Sequence, residues 1–275
     1  MNKVSLTVDD RQSLEQHGFK IMRMLGSGAF SQVLLVQKHD TGELFACKVS
    51  DRQDLARRES NLLSGIDHPL FPQFHDFWQA GERAFLLMEY VYGSSLKELL
   101  RSRGTFSQIQ TARVGMALAE GLRYLHQLPE PMLFRDVKPS NVMIRQDGRV
   151  KLLDLGCACA LSHPAESRAG TPGYAAPEQL QTDGVLSPAC DVYGLAKTME
   201  AMAGKNSGIS LKRFVESCTA YRPEDRLPDM QGVMAALAPM CGEGRSKSKL
   251  HSMLGFLQPR AQCVKNIWES NYKNT

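Results

Sequence analysis

The chain has 275 residues, 43% hydrophobic and 23% charged, values of an ordinary globular protein that exclude a fibrous or disordered chain. Its 33 Lys and Arg against 29 Asp and Glu leave a net charge of +4, too small a surplus to point to nucleic acid as a partner. There is no apolar run of about 18 residues, so no transmembrane segment is expected, and the opening MNKVSLTVDD lacks a secretory apolar stretch. The seven cysteines are odd in number and contain no CxxC pair, which predicts reduced thiols and a cytoplasmic protein.

Residues 19–25 read as a strand entering a glycine-bearing turn, and 33–37 as a second, apolar strand. His39-Asp40-Thr41-Gly42 turns the chain into a third at 44–49, giving an antiparallel meander. Residues 52–66, charged early and apolar late, predict a helix with Leu55, Leu62 and Leu63 inward, and 84–91 predicts a further strand. Beyond Tyr92-Gly93-Ser94-Ser95 the character turns helical. Ser107 and Gln110 fit a capping box, followed by Ile109, Ala112, Met116, Ala119 and Leu122 on one helical face. Residues 142–144 and 150–153 form a short hairpin about Gln146-Asp147-Gly148; a loop runs to about 177, with helices near 191–203, 211–218 and 229–237. The fold class is therefore α+β: a small antiparallel-sheet lobe over about 15–90 and a larger, mainly helical lobe over about 91–240. Residues 241–275 carry six basic and two acidic residues. Leu250, Met253, Leu254 and Leu257 share one helical face there, which fits docking on the rest of the chain, contact with an anionic surface or partner, or a solvated extension.

Four stretches carry chemistry. Gly26-Ser27-Gly28-Ala29-Phe30-Ser31 lies between two strands, where glycines let backbone N–H groups approach a phosphate; alone, it is equally a glycine-bearing β-turn. Lys48 sits in the next strand, and Glu59 in the helix that follows could hold its ammonium toward phosphate oxygens. Phe134-Arg135-Asp136-Val137-Lys138-Pro139-Ser140-Asn141 places an Asp and an Asn five apart on a loop, with Asp154 beyond the hairpin. Such a set supplies a base for a hydroxyl and oxygen ligands for Mg²⁺. Gly170-Thr171-Pro172-Gly173-Tyr174-Ala175-Ala176-Pro177-Glu178 follows. The pair Cys157 and Cys159 lacks partners at ligand spacing and reads as small apolar filler.

Taken in order, these landmarks resemble a eukaryotic-type (Hanks-type) protein Ser/Thr kinase over roughly residues 18–238. FRDVKPSN and GTPGYAAPEQ look most like the bacterial members. The resemblance implies a bilobal protein-kinase-like fold for residues 1–240, ATP and Mg as cofactors, and a protein substrate with a Ser/Thr acceptor. Gly26 and Gly28 would cover the ATP phosphates, and Val33 and Ala46 the adenine. Met88 would be the gatekeeper, Glu89 and Val91 would meet the adenine edge through their backbones, and Met143 would close the pocket below. Lys48, paired with Glu59, would bind the α- and β-phosphates. Asp136 would accept the hydroxyl proton, Lys138 would steady the transferred group, and Asn141 and Asp154 would hold magnesium. Thr171 matches the threonine that contacts the catalytic Asp and Lys. Glu178 and Arg226 would form a buried ion pair, and Asp191 would brace the catalytic loop. Arg135 before Asp136 is the arrangement of relatives switched by phosphorylation, for which Ser167 is the candidate acceptor.

The chain departs from the family at Phe134 and Leu155, each apolar where packing is needed, and at Ser95, where many relatives place an acid. Only ten residues separate Lys48 from Glu59, and little chain lies between Asp191 and the helix near 211; both shorten elements of the family. The activity implied is Mg- and ATP-dependent transfer to Ser/Thr hydroxyls, including autophosphorylation. The competing readings are a pseudokinase scaffold and a small-molecule kinase. The first is opposed by the presence of every charge-handling residue, the second by the segment GTPGYAAPE.

Overall fold

The computed structural model describes residues 6–28, 30–162 and 169–242. The described residues divide into two compact units, one running through Val91 and including Leu153–Ala158, the other made of Tyr92–Leu152 and the chain from Cys159 on. An antiparallel-sheet unit and a mainly helical one are the α+β architecture the sequence predicts.

The first unit opens with α1 (Val8–Gln16), continues through β1 (Phe19–Ser27), β2 (Ser31–Lys38), β3 (Leu44–Ser50) and α2 (Gln53–Ser64), and ends with β4 (Phe74–Ala80) and β5 (Arg83–Glu89). The strands form one antiparallel sheet in the order β1-β2-β3-β5-β4. Gly42, at φ +71°, supplies the left-handed residue that the β2–β3 turn requires, and its N–H donates to the Lys38 carbonyl at 2.8 Å. Side chains alternate across the sheet, and Leu34, Val36, Phe45, Cys47, Val49, Phe85 and Leu87 form a sealed core on one face together with Leu14 of α1.

Helix α1 is absent from the sequence expectation. It is polar, and its start is fixed by a capping box in which Asp10 N donates to Thr7 Oγ1 and Thr7 N to Asp10 Oδ2. It is pinned from its far end: Trp78 Nε1 donates to Ser13 Oγ at 3.0 Å, and the Trp78 ring stacks between His17 (4.3 Å) and its cross-strand partner Phe85 (5.0 Å). In α2 the inward stripe is Ala56, Glu59, Ser60 and Leu63, with Leu55 43% exposed. Leu55, in the first turn, stands at the edge of the stripe that Ala56, Ser60 and Leu63 centre, which corrects the expectation that it points inward.

In the second unit, β6 (Gly93–Ser95) precedes α3 (Leu96–Arg103), which Ser95 caps, and α4 (Gln108–His126), which Ser107 caps with Gln110 as expected. β7 (Met132–Leu133), β8 (Val142–Arg145), β9 (Val150–Leu152) and β10 (Cys159–Ala160) follow, with the sheet order β6-β8-β9 and a separate β7–β10 pair. The helices α5 (Pro177–Leu180), α6 (Ala189–Ala203), α7 (Ile209–Cys218) and α8 (Met230–Leu237) complete it. Helix α4 packs on α6 and α8, and its Ala112, Leu118, Ala119, Leu122 and Leu125 are fully buried, while Ile109 stays 45% exposed. The space a Cβ would take at Gly115 in α4 is filled by the sulfur and methyl end of Met199 from α6. A 3-10 turn, Gly204–Asn206, and two further residues separate α6 from α7, in keeping with the short spacing. Among the described residues no helix is long and apolar enough to cross a membrane.

Candidate active site

In the first unit, the strand register sets a second face opposite the sealed core. Val33, Lys48 and Leu86 stand side by side there, as do Leu35, Ala46 and Met88. Gly26 pairs with Val33. A Cβ added at Gly26 meets no atom within 4 Å, and its φ is not left-handed. Neither packing nor backbone therefore demands glycine at this position. Gly28 N donates to the Ser31 carbonyl at 2.8 Å and tightens the turn. Glu89 N donates to the Gln73 carbonyl at 2.8 Å, and Val91 is buried.

Lys48 Nζ meets both oxygens of Glu59, at 2.9 and 2.7 Å, and Asp154 Oδ1 at 2.8 Å. Burial alone would lower the Lys48 pKa, but the two carboxylates outweigh it and hold the ammonium above its ordinary value. Burial lifts the Glu59 carboxyl above its usual range, with Lys48 opposing the shift and Asp154 adding to it. One cation thus serves two anions. Asp154 is at φ 70°, its side chain 49% exposed, and its Oδ1 also accepts Gly156 N at 3.2 Å. A non-glycine residue in that region stores strain and needs such ties to hold it.

The second unit carries the other half of the predicted set. Asp136 Oδ2 accepts from Lys138 Nζ at 2.6 Å and Asn141 Nδ2 at 3.1 Å, and Asp136 Oδ1 accepts the Thr171 hydroxyl at 2.7 Å. Lys138 also donates to Thr171 Oγ1 at 2.7 Å, so Thr171 makes both contacts the resemblance implies. Asn141 Nδ2 further donates to the Asp136 carbonyl at 3.0 Å, a use of the amide donor that leaves its oxygen to other partners. Met143 is half-buried in β8. Ser167 lies outside the described residues.

Beneath Asp136 the loop is braced by Asp191, in the first turn of α6. Asp191 accepts Phe134 N at 2.9 Å, Arg135 N at 2.7 Å and His126 Nε2 at 2.8 Å. Arg226 spends all five N–H bonds: two on Glu178, at 2.7 and 2.9 Å, and three on the carbonyls of Ala189, Ala220 and Tyr221. Cys190 donates to Glu178 as well, and burial pushes its thiol up, which keeps the proton available. Two participants escape sequence reasoning. His126 reads as a helix-end residue, and Gln179 as an unremarked position beside Glu178. Both are recruited by residues more than 40 positions away, and no local pattern marks such partners.

No group of three or more His, Cys, Asp or Glu side chains converges among the described residues. Asp154 in the first unit and Asn141 in the second each carry a hard oxygen of the kind Mg²⁺ prefers.

Residues 19–211 match the protein kinase domain family. Among curated relatives, the human cAMP-dependent protein kinase catalytic subunit PRKX is 32% identical over 174 residues, 60% of this chain and 48% of that one. Protein kinase 3 of Dictyostelium discoideum is 31% identical over 194 residues (63% and 20%), and the Schizosaccharomyces pombe serine/threonine-protein kinase cds1 is 28% identical over 208 (68% and 45%). The chain spans about half or less of the length of these relatives. Further relatives come from Arabidopsis thaliana and mouse, and none of these is bacterial. The expectation of a bacterial-type member is thereby corrected: the eukaryotic type stands without it. FRDVKPSN supplies Asp136, and GTPGYAAPEQ supplies Thr171 and Glu178, the residues that the Asp136–Thr171 and Glu178–Arg226 contacts require.

Proposed function

The chain belongs to the protein kinase domain family, and from that premise we propose that it transfers the terminal phosphoryl group of Mg-bound ATP to serine and threonine hydroxyls of proteins, itself included. The observation that carries this reading is the Asp136–Lys138–Thr171 triangle. It holds a buried carboxylate in hydrogen-bond contact with a hydroxyl, beside a fixed cation. An incoming serine or threonine hydroxyl would replace the Thr171 hydroxyl at Asp136 Oδ1, and Asp136 would orient it and take its proton. Lys138 would offset the charge on the transferred group.

In the first unit, Gly26 and Gly28 would let the backbone close on phosphates. Lys48 would exchange the half-exposed Asp154 for phosphate oxygens while keeping the buried Glu59. Asp154, released, and Asn141 would hold the magnesium, which when bound neutralises charge on the phosphates. Val33, Ala46 and Met88 would line the adenine face, with Met143, Glu89 and Val91 at its borders. The protein incubated with labelled ATP, Mg²⁺ and a generic protein acceptor should yield phosphoserine and phosphothreonine by mass spectrometry. No transfer above that of an Asp136→Asn protein would overturn the assignment.

A further inference from the structure

The catalytic loop and the segment that ends at Glu178 are tied together at two points. One is the contact of Thr171 with Asp136. The other is made by Gln179, a residue in α5 that is 4% exposed and that the kinase reading leaves without a role. Its Nε2 donates to the Arg135 carbonyl at 2.8 Å and to the Ala169 carbonyl at 3.0 Å, and its Oε1 accepts Ala176 N at 3.0 Å. One amide therefore joins three stretches of chain, with both donor hydrogens and an acceptor lone pair engaged.

The residue it grips is conformationally unusual. Arg135, at φ 66°, is a non-glycine residue in the left-handed region and immediately precedes Asp136. Its N–H is already held by Asp191 at 2.7 Å, so the bond from Gln179 fixes the other end of the same residue. A conformation of this kind persists only where its surroundings over-determine it. The packing about the amide is equally tight. Gly170 is at φ +128°, and a Cβ there would lie 2.7 Å from Ala175 Cβ, 3.1 Å from Gln179 Nε2 and 3.3 Å from the Arg135 carbonyl.

We propose that Gln179 is a positioning residue for Asp136: by holding the Arg135 carbonyl against Ala169, it sets the angle at which the carboxylate of the next residue meets an acceptor hydroxyl. The inference rests on the reading of Asp136 as the base. Gln179 itself touches no reacting atom. Loss of its bonds should therefore lower the rate of the chemical step and leave nucleotide affinity alone, because the groups assigned to ATP in the first unit are untouched.

Two variants test this at a temperature where both are folded. Gln179→Met keeps the volume and removes all three hydrogen bonds. It should lower kcat about tenfold to a hundredfold with the KM for ATP within about twofold of the wild type. Gln179→Glu sets a carboxylate against two carbonyl oxygens, and a proton restores one donor. Its kcat relative to the wild type should therefore recover as the pH is lowered from 8 to 6, a response that a loss of packing alone does not produce. Hydrogen exchange supplies a readout independent of activity: amides in 133–138 and 169–173 should exchange faster in Gln179→Met, with α6 unchanged. A Gln179→Met enzyme of full kcat would overturn the proposal, as would equal losses in kcat and ATP affinity, or exchange that quickens throughout the second unit. Failure of the wild type to transfer phosphate removes the kinase reading instead, and the exchange pattern still decides whether Gln179 holds the loop.

Discussion

Asp191 accepts the backbone N–H of Arg135 at 2.7 Å, so a carboxylate 1% exposed holds in place a residue whose φ of 66° would otherwise relax. Three donors converge on it, from Phe134, Arg135 and His126. Asp191→Ala strands them in the interior, at about 1–3 kcal/mol for each group left unsatisfied. The expected outcome is a protein much less stable to urea, with a larger loss than in His126→Ala, which removes only one of the three donors. Equal stabilities of the two variants would mean that the backbone N–H groups find other partners.

Asp136→Asn should slow phosphoryl transfer by about 10²–10⁴ and preserve nucleotide binding, because Asp136 is assigned to the hydroxyl and not to the phosphates. Single-turnover kinetics alongside a nucleotide titration separate the two effects. A large drop in ATP affinity would place Asp136 in the wrong role.

Asp154→Ala addresses the metal. At ligand concentrations about a hundred times Kd, binding to the native state stabilises a protein by about 2.7 kcal/mol. The wild type should show this gain with Mg·ATP, and the variant should lose most of it. Lys48 keeps both contacts to Glu59 in the variant, so its melting point without nucleotide should stay close to the wild-type value.

The pair Glu178–Arg226 predicts a pH dependence. Burial raises the Glu178 pKa, but the hydrogen bonds from Arg226 outweigh it and bring the carboxyl below its ordinary value of 4.5. The unfolded chain therefore takes up this proton first as the pH falls. The stabilisation is fully present above pH 4.5 and is lost as the pH drops through the lower, folded-state value. Glu178→Gln leaves the Arg226 guanidinium buried without its counter-charge, at about 3–5 kcal/mol near neutrality. It should also have a shallower acid limb in a plot of melting temperature against pH. Parallel acid limbs for variant and wild type would mean that other carboxylates control acid unfolding.

What the sequence made legible was what lies close together in it. The β1–β3 meander could be read from apolar runs and a glycine turn, and α4 from its capping box and the apolar face that follows it. Lys48, Asp136 and Asp154 could be read because their neighbours share their chemistry. Helix α1 was illegible because its nine residues bury only Asp10, Ser13 and Leu14, too few apolar positions for a periodic signal. Strand β4 was missed because its burial does not alternate. Gln179 and His126 draw their roles from partners 44 and 65 positions away. Nothing in a one-dimensional reading distinguishes such an amide or imidazole from a surface one.

The seating of α1 bears on how the protein can be handled. The family's match begins at Phe19, after the helix has ended, so a recombinant fragment cut to that boundary would omit Leu14, Ser13 and His17 together. The sheet face that α1 roofs would then be open to solvent, with Val36, Phe45 and Phe85 uncovered and the Trp78 indole stripped of its hydrogen-bond partner. A fresh apolar patch beside the strands invites self-association. Such a fragment should precipitate or form soluble aggregates, whereas one that begins before Thr7 keeps both the cap and the roof and should run as a single species on gel filtration.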